Sequence, residues 1–426
     1  MGLFGGKMLL GYDLGNEFCQ ISYAPSVIGE VETLSQVAGG QNYHIPTALC
    51  KRIGSGQWFY GREAVRCAGE GQGILIQNLL GQALDGEMVV IEGESYDPVA
   101  LLTLFVKRSL ALLGQVASSD KIGGMLITVE YLDGRTLEVL NQVAAGLRLK
   151  TEKITFQSHM ESYYSFMLRQ PWALWNNRSM LFAYRDSHIL VYELECNLRT
   201  TPVVVYIQER EFPFFLWEPL PEEEGVRNAR IQELDRGLLK VAQEVFGEKQ
   251  VDSVYLIGDG FDQMWMKDSL RFLCRGRKVF QGSNLFSKGA CIGLQERIVP
   301  SEAGKGHVFL GNDKLKANVG MKILRQGEES YYAILDAGVN WYEAQAEMEF
   351  YIQDGDGFQV TVTPLIGRSG KQAQILLEDM PGPIARIHAR FYLEEETALT
   401  VEARDLGFGE FRPASGHVWK EKIPLF

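Results

Sequence analysis

At 426 residues the chain is longer than a single hydrophobic core usually serves, so two or three domains are expected. Hydrophobic residues make up 46% and charged residues 23%, the balance of a globular, core-forming chain. The net charge of −12, with no basic stripe to offset it, argues against non-specific nucleic-acid binding and against an anionic membrane surface.

The six cysteines (Cys19, Cys50, Cys67, Cys196, Cys274, Cys291) are scattered, with no C-x-x-C pair. Neither a zinc site nor a disulfide scaffold is signalled, and they read as small core residues in a reducing compartment. The first residues lack the long apolar stretch of a secretory signal, and Gly6 stands where a myristoylation signal needs Ser or Thr. No apolar run approaches the ~18 residues of a spanning helix. A cytoplasmic, soluble protein without a membrane or nucleic-acid partner is the expectation.

Residues 7–24 read as strand, tight turn, strand: apolar Met8 to Leu10, then Gly11-Tyr12-Asp13-Leu14-Gly15, then an extended run from Phe18 to Tyr23. Ile45-Pro46-Thr47 follows a polar loop around Gly39-Gly40-Gln41-Asn42, and residues 58–64 lead into a short helix. Residues 97–113 have the spacing of a mostly buried helix, 121–131 of a buried strand, 135–147 of an amphipathic helix, and 160–168 of a further helix. The alternation marks an α/β region. Residues 178–195 repeat the opening layout, with apolar Met180 to Phe182, Asp186 at the tip, and apolar Ile189 to Val191. Two such units far apart suggest a duplicated core.

Residues 202–217 are rich in β-branched and aromatic residues, 219–224 form an acidic, proline-bearing break, and 231–246 form a helix. Residues 252–260 read as a strand ending in the turn Gly258-Asp259-Gly260, and 284–294 as a helix of small and apolar residues. Beyond Pro300 the texture changes. Residues 301–306 read as a loop, and alternating strands follow at 360–365, 385–393 and 398–403, with turn signals at Asp354-Gly355-Asp356-Gly357 and Pro381-Gly382-Pro383. This is an all-β module, and the boundary falls at about residue 303.

Glycine beside an acidic residue at a hairpin tip lets backbone N–H groups approach a phosphate, with the carboxylate holding a hydrated cation against it. On that reading Asp13 is a metal-associated carboxylate, and Gly15, Gly258, Asp259 and Gly260 are cofactor contacts. On the alternative, Asp13 caps its own turn and Gly258 to Gly260 is a strand-to-helix turn. His188 reads as the start of a strand rather than a catalytic group. Glu161 is a candidate for positioning water. Trp172, Trp175 and Trp217 read as core or interface, and Glu222 to Glu224 as a solvated loop. No Ser-His-Asp or metal-ligand constellation stands out.

The order of these short segments resembles the DnaK-type, seventy-kilodalton heat-shock chaperones of the actin-like ATPase superfamily. Residues 11–15 resemble the family's first phosphate turn; Ile45-Pro46-Thr47 followed by Tyr60-Gly61-Arg62-Glu63-Ala64 resembles its proline-then-"G-x-x-A" segment. Gln77-Asn78-Leu79-Leu80-Gly81 resembles its K-R-L-I-G run, Ile127-Thr128-Val129 its I-T-V strand, and Leu256-Ile257-Gly258-Asp259-Gly260 its adenosine turn, with Ser287-Lys288-Gly289-Ala290-Cys291 in the helix that follows. Gly306 to Leu310 resembles the interdomain linker. Met380-Pro381-Gly382-Pro383, the run to Leu393, and Thr400 to Asp405 resemble the last strands of the peptide-binding sandwich.

The resemblance implies an actin-like α/β ATPase fold with duplicated ribonuclease-H-like halves over residues 1–303 (about 1–177 and 178–303). A β-sandwich like the chaperones' substrate-binding domain follows over 304–426, without the helical lid. It implies ATP and magnesium as cofactors and a protein or peptide partner on the β domain.

The departures lie at the phosphate chemistry. Asn16, Glu17 and Phe18 replace hydroxyl residues after the first turn. Gln77 stands where the family has a positioning lysine, and Glu130 where it has proline. The second turn, Tyr184-Arg185-Asp186-Ser187-His188, has no glycine, so its side chains would keep a phosphate off the backbone N–H groups. Loss of positioning groups cuts phosphoryl transfer severely. The expected protein is a diverged, DnaK-like binding or assembly factor whose ATP hydrolysis is lost or very weak. The rivals are a slow ATPase using Asp13 and Glu17 around magnesium, and a non-enzymatic scaffold in a larger complex.

Overall fold

The computed structural model describes residues 7–37, 40–116, 121–151, 153–261, 264–311, 313–353, 356–365, 369–379 and 382–425. The expected turns at Asp354-Gly355 and Met380-Pro381, Gly39 of the polar loop, and residues 1–6 lie outside them. The chain divides into two compact units, Met1–Val308 and Phe309–Phe426.

Two sheets carry the first unit. In the first, strand Met8–Leu14 is central; it pairs parallel with Ile122–Val129 and antiparallel with Phe18–Ala24, and Lys153–Ser158 and Glu32–Thr33 lie beyond these neighbours. In the second, Arg178–Arg185 is central; it pairs parallel with Ser253–Ile257 and antiparallel with His188–Asn197, flanked by Lys278–Gly282 and Val203–Pro213. Strand order and direction are therefore the same in both. Each central strand is covered on both faces, which is why Met8–Leu14 and Ile122–Val129 read as continuous apolar runs rather than alternating ones.

Two helices cross between the sheets. Helix His159–Met167 follows the last strand of the first sheet, yet its Tyr163 hydroxyl donates to Ser179 Oγ at 2.7 Å and its Phe166 ring meets Tyr255 edge-on at 5.8 Å, both on the second sheet. Helix Leu285–Ile298 follows the second sheet, yet Ala290, Cys291 and Leu294 share a core with Leu9, Ala24 and Leu126 of the first. This helix has buried residues on all sides and no polar stripe, the pattern of a helix inside a core. Glycines allow the approach. A Cβ on Gly289 would lie 2.0 Å from the Ser162 carbonyl oxygen, and one on Gly11 would lie 2.2 Å from the Ser287 carbonyl oxygen.

Three local expectations change. Residues 301–306 are not a loop: Ser301 accepts a hydrogen bond from the Gly304 N–H at 3.0 Å and starts the short helix Glu302–Gly306, with Glu302 in its first turn. The acidic break ends early, because Glu224 opens helix Glu224–Phe246, where a carboxylate favours the positive end of the helix. Helix Pro98–Ser109 and the 3-10 turn Leu110–Gln115 together do reach spanning length, with a mean hydropathy of 1.2, because Lys107 and Arg108 are their only charged residues. Leu101, Leu102, Phe105, Val106, Leu110 and Leu113 of that segment are buried in the core of the first sheet.

The second unit has two four-stranded sheets in which every pairing is antiparallel. One holds Glu328–Leu335, Ala317–Arg325, Gly357–Pro364 and Lys371–Leu376; the other holds Gln345–Gln353, Ile384–Glu395, Ala398–Asp405 and Val418–Pro424. Alternate residues of both, among them Val319, Val360, Val362, Ile387, Phe391 and Val401, form one apolar core.

Candidate functional site

The ends of the parallel strands in the first unit converge on a cavity of about 320 Å³. Such crevices, outside the carboxyl ends of strands, are where α/β sheets commonly place ligands. Both hairpin tips line it. In the first, the Gly15 N–H donates to the Phe18 carbonyl at 3.1 Å, and Asn16 Oδ1 accepts from the Gly81 N–H at 2.9 Å. In the second, Arg185 pairs with His188 across the two-residue turn Asp186-Ser187. Asp186 has φ of 43°, a left-handed conformation that aspartate tolerates better than most residues. The chain after strand Val203–Pro213 returns over this turn: the Phe214 N–H donates to the Ser187 carbonyl and the Trp217 N–H to the Asp186 carbonyl, both at 2.8 Å.

A polar chain runs through the floor. Asp13, 6% exposed, has Oδ1 2.7 Å from His159 Nε2; His159 Nδ1 lies 3.2 Å from Arg185 Nη2; Arg185 Nη1 is paired with Glu130. Arginine can only donate, so Nδ1 is the acceptor and the imidazole proton sits on Nε2, donated to Asp13. Both ring nitrogens are thus engaged, and the ring lies flat on Phe286 at 3.9 Å and 9°. Ser158 caps the helix that carries His159, accepting from the Glu161 N–H at 3.3 Å. Four elements are joined by this chain: the first hairpin, the end of strand Ile122–Val129, the helix His159–Met167 and the second hairpin.

On the opposite wall the Asp259 carboxylate pairs with His44 Nδ1 at 3.0 Å, and Phe18 stacks on the His44 ring at 4.0 Å. The His44 hydrogen bond, working against burial, holds Asp259 below the usual carboxylate range. The two glycines of this turn are explained by Tyr184. Gly258 has φ of 109°, and a Cβ there would lie 2.3 Å from the Tyr184 carbonyl oxygen; one on Gly260 would lie 2.2 Å from the Tyr184 ring. Tyr184 is fixed by its hydroxyl, which donates to the Phe215 carbonyl at 2.8 Å, and by edge contacts to Phe214 at 5.0 Å and Phe261 at 5.6 Å.

Glu17 and Asp186 come one from each tip. The hydrogen bond to Asp186, then burial, then the Asp186 charge push Glu17 from its ordinary 4.5 up to about 7. Its folded value is raised, so its contribution to stability is complete below pH 4.5 and is lost as pH rises through about 7. Thermal midpoints measured across that window should fall with pH in the native chain and fall less in Glu17→Gln. Solvent reaches Glu17, so the slope is shallow. A variant that keeps the full slope would dismiss the carboxyl pair as its source.

All five residues singled out in the sequence, Asp13, Gly15, Gly258, Asp259 and Gly260, line this one cavity, as do Glu17, His188 and Trp217. Glu161 does not; it is buried and paired with Arg297 at 3.0 Å. Gln77 is exposed, and Leu80 is the member of its run that reaches the cavity. Trp172 and Trp175 stand edge to face at 4.8 Å beside His307. Among the described residues no group of three or more His, Cys, Asp or Glu is arranged to hold a metal ion, and Asp13 faces His159. Sequence reasoning missed His159, His44 and Phe286 and gave Arg185 no role. The Ser158-x-x-Glu161 capping pattern marked the helix start at His159, but nothing local marked its partner.

The first unit is thus an α/β protein with two like sheets whose hairpins face a common polar crevice, and an antiparallel β unit follows it. Residues 30–312 match the family of unknown function DUF5716 (C-terminal), and the chain belongs to that family. Residues 314–425 match a domain of unknown function, DUF8552. No curated protein matches the chain.

Proposed function

We propose that the first unit is a diverged, actin-like nucleotide-binding fold of DnaK type that has lost ATP hydrolysis, and that the chain works as a protein-binding or assembly factor. The observation that carries this reading is Arg185. It closes the second hairpin turn, lines the cavity that both tips face, and is already tied to His159 and Glu130. The cavity lining has five carboxylates, Asp13, Glu17, Glu130, Asp186 and Asp259, against this one arginine. A triphosphate brought there would face repulsion in place of the charge stabilisation that phosphoryl transfer needs. The repeated strand order and the exchanged helices support the fold part of the reading.

The β unit supplies the partner surface in this reading. Strand Glu328–Leu335 lies at a sheet edge, with Tyr331 and Tyr332 54% and 46% exposed, and an edge of this kind can accept an added strand. The acidic chain favours a partner with a basic face. ATP with magnesium added to the full chain tests the proposal. Stabilisation should fall well below the ~2.7 kcal/mol of a ligand at a hundredfold excess over its Kd. Partner capture in a pull-down should not change. Steady magnesium-dependent hydrolysis, or release of a broad set of unfolded clients by ATP, overturns it.

A further inference from the structure

Of the six free cysteines, two stand together. Cys50 is on strand Leu49–Arg52, and Cys67 is on helix Gly61–Gly69, which packs over that strand. With Ala48 and Ala64 they make a small apolar cluster separate from the main cores. Gly73, on the strand Gly73–Ile76 that pairs with Leu49–Arg52, locates their sulfurs. A Cβ added to Gly73 would lie 2.3 Å from Cys50 Sγ and 3.1 Å from Cys67 Sγ. Both thiols thus crowd one point, and a residue without a side chain covers them. Any larger residue at 73 would push the Cys50 sulfur away.

The two differ in access. Cys50 has no exposed surface, whereas Cys67 is 6% exposed. Burial, followed by the hydrogen bond to Cys67, raises Cys50 to about 11, so at neutral pH it rests as the thiol.

We propose that Cys50 and Cys67 form a redox-sensitive pair that a peroxide closes to a disulfide. The thiolate of Cys67 attacks one peroxide oxygen; the O–O bond breaks, hydroxide leaves and takes up a proton as water, and Cys67 becomes a sulfenic acid. The Cys50 sulfur then attacks the Cys67 sulfur. The S–O bond breaks, and the departing hydroxide takes the Cys50 proton and leaves as a second water. Two thiols are oxidised and one peroxide is reduced, and a low-molecular-weight thiol reverses the step by exchange.

The consequence is local. The helix that carries Cys67 also carries Arg62, which lines a polar recess with Tyr43, His44, Asp259 and Ser283. His44 and Asp259 are at the same time the far wall of the hairpin cavity. Closing the disulfide pins this helix to its strand and fixes that rim.

The test treats the full chain with hydrogen peroxide and maps each cysteine by mass spectrometry. Expected is joint loss of the Cys50 and Cys67 thiols, a cross-linked peptide lighter by two hydrogens, a higher thermal midpoint, and full reversal by dithiothreitol. Cys274, the exposed cysteine, should react independently of the pair. In Cys50→Ser, Cys67 should pass on to sulfinic acid, and in Cys67→Ser, Cys50 should stay reduced. The native chain alone decides the matter if either variant fails to fold. Cys67 oxidised beyond sulfenic acid without a cross-link, or both thiols intact once Cys274 is consumed, overturns the proposal.

Discussion

Gly289→Ala is expected to lower the stability of the first unit by about 3 kcal/mol or more, the upper part of the range for overpacking a core. The added Cβ would lie 2.0 Å from the Ser162 carbonyl oxygen and 2.7 Å from its carbonyl carbon, so backbone rather than a flexible side chain would have to move. Alanine favours a helix interior over glycine by only about 1 kcal/mol, so the steric term wins. Helices His159–Met167 and Leu285–Ile298 would part, and with them the residues that hold the hairpins in place. Gly69→Ala is the control: it closes helix Gly61–Gly69 with open space around the new methyl and should change stability by less than about 1 kcal/mol. Urea titration of both variants measures the difference. Equal midpoints would mean that the two helices do not cross at Gly289.

Asp13→Ala is expected to cost about 3 kcal/mol, and Asp13→Asn about 1 kcal/mol. Alanine removes the acceptor of the Nε2–H of His159, a side chain only 1% exposed. Asparagine keeps a carbonyl oxygen at the same place, so the hydrogen bond survives and only its charge assistance goes. Thermal and urea denaturation of the two variants separate these outcomes. Equal losses would show that the carboxylate acts through its charge, and no loss in either would dismiss the Asp13–His159 contact as a structural tie. Neither variant should alter the response to ATP with magnesium.

Much of the local structure was legible in the amino-acid order. The apolar runs at Met8 to Leu10 and Met180 to Phe182 are found as hairpins built on the central strands; Asp186 stands in the second turn as expected, whereas Asp13 belongs to the first strand, paired with Gln20, and the turn there is Gly15 to Glu17. The period-two pattern of Ile384–Glu395 and Ala398–Asp405 is found as strands with one face in a core. These signals are short-range: a strand covered on both faces must be apolar throughout, and one covered on a single face must alternate. At 301–306 the Ser301 cap and Glu302 are local signals too, and they start a short helix where a loop is expected.

What the tertiary structure alone decided depends on residues far apart in the chain. Asp13 and His159 are 146 positions apart, and Ser22 reaches Ser287 across 265. No periodicity carries such a pairing, because it depends on how two helices exchange sheets, and that depends on the fit of Gly11 and Gly289 against distant backbone. The glycines at 258 and 260 were visible as a turn suited to a ligand. Only the folded chain shows Tyr184 occupying the space they leave, since a glycine reports room for a close approach without naming what approaches.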